Sequence, residues 1–312
     1  SKFNVKYSQM NNSTSAIVTG SSGFIGSNLV AYLLRNNIKT LGIDPFEPEI
    51  ENDLFENHLG YVDTLPDEMV NKFFNRDTTL FHIGAKKHRS EHTNTEEIIN
   101  ANVNDFYRLL NLVKLKPVKK IIFTSSLYVY GTKNSPPFSE ETPTAPETIY
   151  GITKLLGEKL LEKFSKETGI PSLSLRLFFI YGSNQRTRAS NYESVIHKTI
   201  KLVKENKSPE IYGSGEQGMD FVHVDDLCQF FIDQLSTHES GYDVLNFSSG
   251  TCTTINELVD KIKKICNSNI NNDYFDSDWT EGLKRYGTNK KLQNKLKINN
   301  LINLDDGLKK SF

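Results

Sequence analysis

Ala16-Ile17-Val18-Thr19-Gly20-Ser21-Ser22-Gly23-Phe24-Ile25-Gly26 decides the fold of this chain. Apolar and β-branched residues run into a glycine-spaced turn, and an amphipathic segment from Phe24 to Asn37 follows at once. That order describes a first strand, a phosphate-cradling turn and a first helix. Gly20 turns the chain tightly, Gly23 admits a pyrophosphate to the backbone, and Gly26 lets the helix lie close against the sheet. Ser22, Phe24 and Ile25 complete the same expected cofactor-binding turn.

A glycine-rich turn alone is weak evidence, and the pattern around it supplies the strength. Strand and helix patterns alternate with short connections, which predicts an α/β fold: a Rossmann-type doubly wound parallel sheet with helices on both faces. Lys39-Thr40-Leu41-Gly42-Ile43-Asp44 reads as a second buried strand that ends in an acid. Asp44 lies 18 residues beyond Gly26, where such folds place a carboxylate on the adenosine ribose. A carboxylate there accepts from a free 2′-hydroxyl and repels a 2′-phosphate, so the expected cofactor is NAD rather than NADP.

Thr79-Leu80-Phe81-His82-Ile83-Gly84-Ala85 is a short apolar run ending in small residues. Gly84 and Ala85 would leave room for a ligand at the sheet's crevice, and His82 reads as a packed strand residue. Thr93-Asn94-Thr95-Glu96 fits a capping box. The helix it opens carries a wide stripe of Ile98, Ile99, Val103, Phe106, Leu109, Leu110 and Val113, and Pro117 ends it. Such a stripe can cover a sheet and a partner subunit together, although core packing explains most of it.

Two further stretches belong together. Ile121-Ile122-Phe123-Thr124-Ser125-Ser126 is a buried strand ending in hydroxyls, and Tyr150-Gly151-Ile152-Thr153-Lys154 opens a long helix. Tyr150 and Lys154, one turn apart, share a face of that helix. A free phenol titrates near ~10 and is a poor base at neutral pH. A nearby ammonium stabilises the phenolate, so Tyr150 can take a proton from a sugar hydroxyl while Ser126 holds the same oxygen. Tyr and Lys at this spacing are common on helices, and it is the dinucleotide-binding context that singles this pair out.

Bulk composition is permissive. The chain has 312 residues, with 37 Lys and Arg against 38 Asp and Glu. Its sequence pI is near 6.7. Nothing in that balance points to nucleic acid or an anionic membrane. No apolar run is long enough to span a bilayer. The three cysteines, Cys228, Cys252 and Cys266, lack metal-ligand spacing and suggest a reducing compartment. His88 and His92 are too irregularly placed to argue for a metal, and none is expected. The expected location is the cytoplasm.

The chain resembles the extended short-chain dehydrogenases/reductases of the NAD-dependent epimerase/dehydratase, or nucleotide-sugar-modifying, family. The matches are Thr19 to Gly26, Ser125-Ser126-Leu127-Tyr128-Val129-Tyr130-Gly131, Pro137-Phe138-Ser139-Glu140 and Tyr150 to Lys154. They continue with Ile211-Tyr212-Gly213-Ser214-Gly215, Asp220-Phe221-Val222-His223-Val224-Asp225-Asp226 and Leu245-Asn246-Phe247-Ser248-Ser249-Gly250. The resemblance implies Ser126, Tyr150 and Lys154 as catalytic residues, with Lys154 also on the nicotinamide ribose. It implies Lys87 near the cofactor, Asn102 as a support on the long helix, and Tyr61-Val62 at the place of an adenine-binding Asp-Ile pair. That aspartate is missing unless Asp63 substitutes. The family also implies a homodimer joined through a four-helix bundle.

The expected division is a NAD-binding domain of 14–178 plus 219–248 and a smaller C-terminal substrate-binding domain of 179–218 plus 249–312, with 1–13 as a flexible arm. Strands are expected over Ser172 to Phe178 and Tyr242 to Asn246, helices over Tyr192 to Lys204, Asp225 to Gln234 and Ile255 to Ile265, and a solvated basic face over Lys284 to Lys297. Asp225 and Asp226 read as helix-start charges.

Departures from the family pattern bear on the substrate. Phe179 stands where an asparagine commonly faces the sugar diphosphate, and Met219 where an arginine commonly binds it. A further arginine is replaced near Asp278. Neither methionine nor phenylalanine offers charge or donor to a phosphate. Arg186, Arg188 and Arg285 are candidates to take over, unless the substrate has no conventionally bound diphosphate. Leu127 and Tyr128 occupy the places of the acid-glutamate pair of sugar dehydratases, which argues against dehydration. The expected substrate-facing set is therefore Ser126, Tyr128, Phe179, Arg186 and Met219. The expected activity is NAD-dependent 4-epimerisation of a nucleotide sugar through a 4-keto intermediate. A 4-keto-sugar reductase, a sugar 4-dehydrogenase and a non-catalytic dinucleotide sensor stay open as alternatives.

Overall fold

The computed structural model describes residues 13–87, 94–183, 194–296 and 300–312. The arm at 1–13 falls almost wholly outside them, as do His88, His92, Arg186 and Arg188. Seven parallel strands make the central sheet. They are β1 (Ser15–Thr19), β2 (Lys39–Asp44), β3 (Phe55–Leu59), β4 (Thr78–His82), β5 (Lys120–Ser126), β6 (Ser172–Leu177) and an edge strand at Tyr242–Phe247. Their spatial order is β3-β2-β1-β4-β5-β6-edge. The order reverses between β1 and β4, and the carboxyl ends of these two strands open the crevice where ligands bind in such sheets.

Alternation along the strands splits the core into two layers. Ala16 and Val18 of β1 join Phe81, Leu173 and Leu175 against α1 (Phe24–Arg35) and the helix Val224–Gln234. Ile17, Leu80 and Ile121 face the opposite layer, formed by α2 (Asp67–Phe73) and two longer helices. Because both faces are covered, β1, β4 and β5 are buried at every residue. α1 stops at Arg35, two residues before the end read from the pattern, because Asn37 takes a left-handed φ of 58°.

The helix after residue 93 differs in detail from its expected form. Its cap is Asn94, not Thr93, which is outside the described residues; the Asn94 side chain accepts from Glu97 N at 2.8 Å. The helix runs as α3 (Thr95–Ile99), a π-helical stretch at Asn100–Asn104, and α4 (Asp105–Leu115). Ile99, expected in the apolar stripe, is 40 % exposed. α5 (Ile149–Thr168) is capped by Thr148 and ended by Gly169 in the left-handed conformation.

Beyond β6 the chain leaves the sheet. Phe179–Tyr181 pairs with Phe221–His223, and Gly218–Met219 lies between Thr253–Thr254 and Lys284–Arg285. The helices Val195–Lys204, Ile255–Ile265 and Leu304–Lys310 share a separate core around Ile200, Leu258, Ile262 and Leu308. The Ile255–Ile265 helix has its expected bounds and a complete capping box at Thr254 and Glu257. The basic run from Lys284 is not a solvated face throughout. Arg285 and Leu292 are buried, and Leu292 packs into the sheet's own core.

Candidate active site

A cleft of about 520 Å³ lies over the carboxyl ends of β1, β2, β4 and β5, a volume suited to a sizeable ligand. Its floor is the glycine turn. Gly20 has a φ of +70°, and a Cβ there would sit 2.7 Å from Gly84 Cα. A Cβ on Gly26 would sit 1.9 Å from the Gly20 carbonyl oxygen, so α1 can start where it does only with glycine at this position. Gly23 is the N-cap of α1, and no side chain caps the helix there. The first-turn N–H groups, at Phe24, Ile25 and Gly26, belong to the cleft wall and can receive an anion.

The walls of the crevice are braced from behind. Thr19 Oγ1 accepts from the N–H groups of Ile83 and Gly84 at 3.0 and 3.1 Å, which ties the end of β1 to the start of the β4 loop. With both lone pairs used, its proton goes to His82 Nδ1 at 2.7 Å. His82 is stacked on Phe106 and buried, and burial lowers its pKa to about 3, helped by the Lys154 charge. It is a neutral packing residue, as the sequence pattern implied.

Asp44 ends β2 at the cleft. Its Oδ2 accepts from Ser22 N at 3.1 Å and its Oδ1 from Phe46 N at 2.8 Å. These bonds fix the carboxylate, while burial raises its pKa from the usual carboxylate range. Ser22 itself does not line the cleft; its hydroxyl donates to Phe46 O and fastens the turn to the segment after Asp44. Tyr61 lines the cleft beside Asp44, whereas Val62 is buried in the core behind it. A carboxylate that the sequence pattern did not single out closes this end: Asp105, at the start of α4, lines the cleft and its Oδ1 is buried without a hydrogen-bond partner. Burial raises its pKa to about 6.

At the other end Ser126, Tyr128, Tyr150, Lys154, Lys87 and the small residues Gly84 and Ala85 all line the cleft. Ser126 terminates β5 and accepts from Tyr128 N at 3.2 Å. The Tyr128 and Tyr150 rings meet edge to face, 5.8 Å between centroids. Two lysine side chains approach the Tyr150 ring, with Lys87 Nζ at 4.9 Å and Lys154 Nζ at 5.6 Å from its centroid. Lys154 Nζ donates to Thr124 O at 2.6 Å, which anchors it beneath the ring. Burial pulls its pKa down to about 7, Lys87 adds to that, and Glu158 opposes it.

Asn102 stands behind the wall. The π-helical stretch turns it so that its Oδ1 accepts from Lys86 N at 2.6 Å while its Nδ2 donates to Lys86 O and to Thr153 Oγ1. It therefore holds the Lys86-Lys87 loop against the helix that carries Tyr150, a support position of the kind π-bulges often occupy.

A buried network underlies the same end. Arg176 Nε and Nη2 donate to Glu158 Oε1 and Oε2 at 2.9 and 2.8 Å, and Ser125 Oγ donates to Glu158 Oε1 at 2.6 Å. Arg176 Nη1 also donates to Tyr130 OH, which donates to Asn246 Oδ1. No single residue type or spacing marks this set, since its members lie on four separated segments. Phe179 and Met219 line the cleft on the side away from the sheet. Arg186 lies outside the described residues.

The cleft fits a dinucleotide on the structure's own terms: a cradle that a Cβ would fill, an acid at the end of β2, and an orphaned acceptor beside it. Comparison with known proteins agrees. A putative UDP-glucose 4-epimerase of Methanocaldococcus jannaschii is 31 % identical, covering 79 % of this chain and 81 % of that one. The solved UDP-N-acetylglucosamine 4-epimerase from Methanobrevibacter ruminantium, in complex with UDP-N-acetylmuramic acid, superposes with a TM-score of 0.84 at 25 % identity over 96 % of each chain. The UDP-glucuronic acid 4-epimerase from Bacillus cereus, in complex with UDP-glucuronic acid and NAD, gives 0.82 at 26 % identity over 96 % of this chain and 98 % of that one. The model of the NAD dependent epimerase/dehydratase family matches residues 16–247, from Ala16 in β1 to Phe247 at the end of the edge strand. The chain belongs to the NAD-dependent epimerase/dehydratase family.

Proposed function

We propose that this protein is a nucleotide-sugar 4-epimerase, with Tyr150 as its acid-base residue. The observation that carries the reading is Tyr150 with the Lys87 and Lys154 side-chain nitrogens 4.9 and 5.6 Å from its ring centroid, in the same cleft as Ser126 and the glycine turn. NAD, when bound, supplies the hydride acceptor and donor. It would be held by the glycine turn, Asp44, Gly84, Ala85 and Lys154.

Tyr150 removes the proton from the C4 hydroxyl, and positive charge on the nearby Lys87 and Lys154 stabilises the negative charge that develops on its oxygen. Ser126 donates to the same sugar oxygen and keeps it in line. Lys154 is positioned by Thr124 O to serve Tyr150 from below. The 4-keto sugar then turns over in the cleft so that the opposite face of C4 would take back the hydride, and Tyr150 returns the proton to O4. Leu127 and Tyr128 offer no acid-glutamate pair for loss of water, so the cycle ends in inversion.

The test is Tyr150→Phe, assayed by interconversion of UDP-glucose and UDP-galactose and of UDP-glucuronate and its C4 epimer. Turnover falls at least about a thousand-fold while NAD still binds. Unchanged turnover would remove Tyr150 from the mechanism. Epimerisation with no net change in NADH separates this reading from a reductase, which consumes NADH in step with product.

The remaining expectations follow from the same surface and composition. Ile99, Tyr107, Ile152 and Leu156 are each 40 % or more exposed on the adjoining α3, α4 and α5. Such a patch supports a homodimer built as a four-helix bundle from two copies of this face. The division into 14–178 plus 219–248 and 179–218 plus 249–312 is kept as the proposed assignment of NAD and sugar binding. No helix among the described residues is long and apolar enough to cross a membrane. Three free cysteines support placement in the reducing cytoplasm.

A further inference from the structure

We propose that Arg285 binds the diphosphate of the nucleotide sugar, in place of the cation that position 219 lacks. The proposal rests on the nucleotide-sugar reading above and names the group that anchors that substrate. Lys284–Arg285 runs parallel to Gly218–Met219, and the register sets Arg285 directly beside Met219. Met219 and Phe179 both line the cleft. The Arg285 guanidinium lies between two aromatic faces, 4.8 Å from the Phe179 ring centroid and 4.9 Å from that of Trp279. The side chain is nine-tenths buried, with the whole residue only 7 % exposed. Its Nε and Nη1 are nevertheless buried without a hydrogen-bond partner, and it forms no ion pair among the described residues.

A guanidinium stays charged at any pH of interest, and leaving it buried with unused donors is costly. The stacking holds the guanidinium plane flat and fixed, so each of its N–H groups keeps one direction in which it can meet a phosphate oxygen. A planar guanidinium with two unsatisfied donors, standing directly behind two cleft residues that offer phosphate neither charge nor donor, is placed to receive an anion there. The missing arginine has been supplied by the neighbouring strand.

Calorimetric titration of uridine, UDP, UDP-glucose and UDP-glucuronate into the NAD-loaded enzyme tests this with Arg285→Met and Arg285→Lys. Arg285→Met weakens UDP and both UDP-sugars about 10- to 100-fold and leaves uridine and NAD unchanged. Arg285→Lys keeps the charge and recovers part of the loss. Equal UDP binding by wild type and both variants overturns the proposal. A loss confined to UDP-glucuronate, with UDP unaffected, also overturns it, because the contact would then be to the sugar carboxylate. Wild-type enzyme that binds NAD but none of the UDP-, dTDP-, CDP- and GDP-hexoses would overturn the nucleotide-sugar reading itself.

A second, independent observation concerns the other end of the cleft. We infer that Asp105 accepts a hydrogen bond from the 6-amino group of adenine. Tyr61 gives the family's adenine position no carboxylate, yet Asp105 lines the same end beside it, is 8 % exposed, and keeps Oδ1 unpartnered. The Val62 backbone N–H, Asp63 and Arg108 are the groups around it. An acceptor alone suits an amino group and repels a carbonyl. The probe is therefore nicotinamide hypoxanthine dinucleotide, which carries a carbonyl where NAD carries the amine. Wild type binds NAD at least about ten-fold more tightly by calorimetry, and Asp105→Ala and Asp105→Asn remove that preference. A preference that survives both substitutions overturns the assignment, as does its absence in wild type.

Discussion

Glu158→Gln removes one charge from the buried pair that holds β5, β6 and α5 together. Arg176 meets Glu158 with two hydrogen bonds of 2.8 and 2.9 Å, and the two side chains are 6 % and 3 % exposed. Both charges are thus shielded from water, and breaking such a pair from one side costs about 3–5 kcal/mol, because the other charge is stranded. A total stability of about 5–15 kcal/mol makes that a large fraction. With a urea m-value of about 3 kcal/mol/M, the unfolding midpoint drops by roughly 1–1.7 M. Arg176→Met should cost a similar amount for the converse reason. The double variant strands neither charge, so its cost falls short of the sum of the singles by at least about 2 kcal/mol. Singles that each cost less than about 1 kcal/mol, or that simply add, would refute the argument that the pair stands or falls as a unit.

Three other outcomes can be checked directly. Gly26→Ala places a Cβ 1.9 Å from the Gly20 carbonyl oxygen, so α1 must shift; NAD affinity by calorimetry falls at least ten-fold and stability drops by about 1–3 kcal/mol. If the proposed dimer forms through this face, light scattering finds a dimer for wild type and a monomer for Ile152→Asp with Leu156→Asp, which puts charge into the exposed face of α5. Asp105 has its pKa raised to about 6, so it is an ionised acceptor above that pH and a protonated acid below it. The preference for NAD over the hypoxanthine analogue therefore stands at pH 7.5 and fades by pH 5, and a preference unchanged at pH 5 would contradict the role.

The strand-turn-helix at Ala16 to Asn37 was legible because steric necessity writes glycine at Gly20 and Gly26, and those two positions have backbone within 2.7 Å of an added carbon. Tyr150 and Lys154 were legible because one helical turn brings them together without help from the rest of the fold. The less readable features are those that need tertiary contact. Asp105 looks like one more polar position on an amphipathic helix until the sheet end is placed beside it. Arg285 sits in a run of lysines, and only the pairing with Met219 and the two stacked rings show that it points inward. The π-helical stretch around Asn102 has no local signal, because it answers to the Lys86 backbone rather than to its own neighbours.

The edge strand at Tyr242–Phe247 has a consequence for how the chain is made. It pairs with β6 at Ser172–Leu177, so about 65 residues must be synthesised after β6 before the sheet can close. At about 5–20 residues per second a ribosome needs roughly 3–13 s for that interval. Throughout it, the far edge of β6 has no partner strand, and Tyr130 has no Asn246 to receive its hydroxyl proton. A nascent chain stalled in that window would be a natural client for chaperones, although its glycine turn, Asp44, Tyr150 and Lys154 have all already been translated.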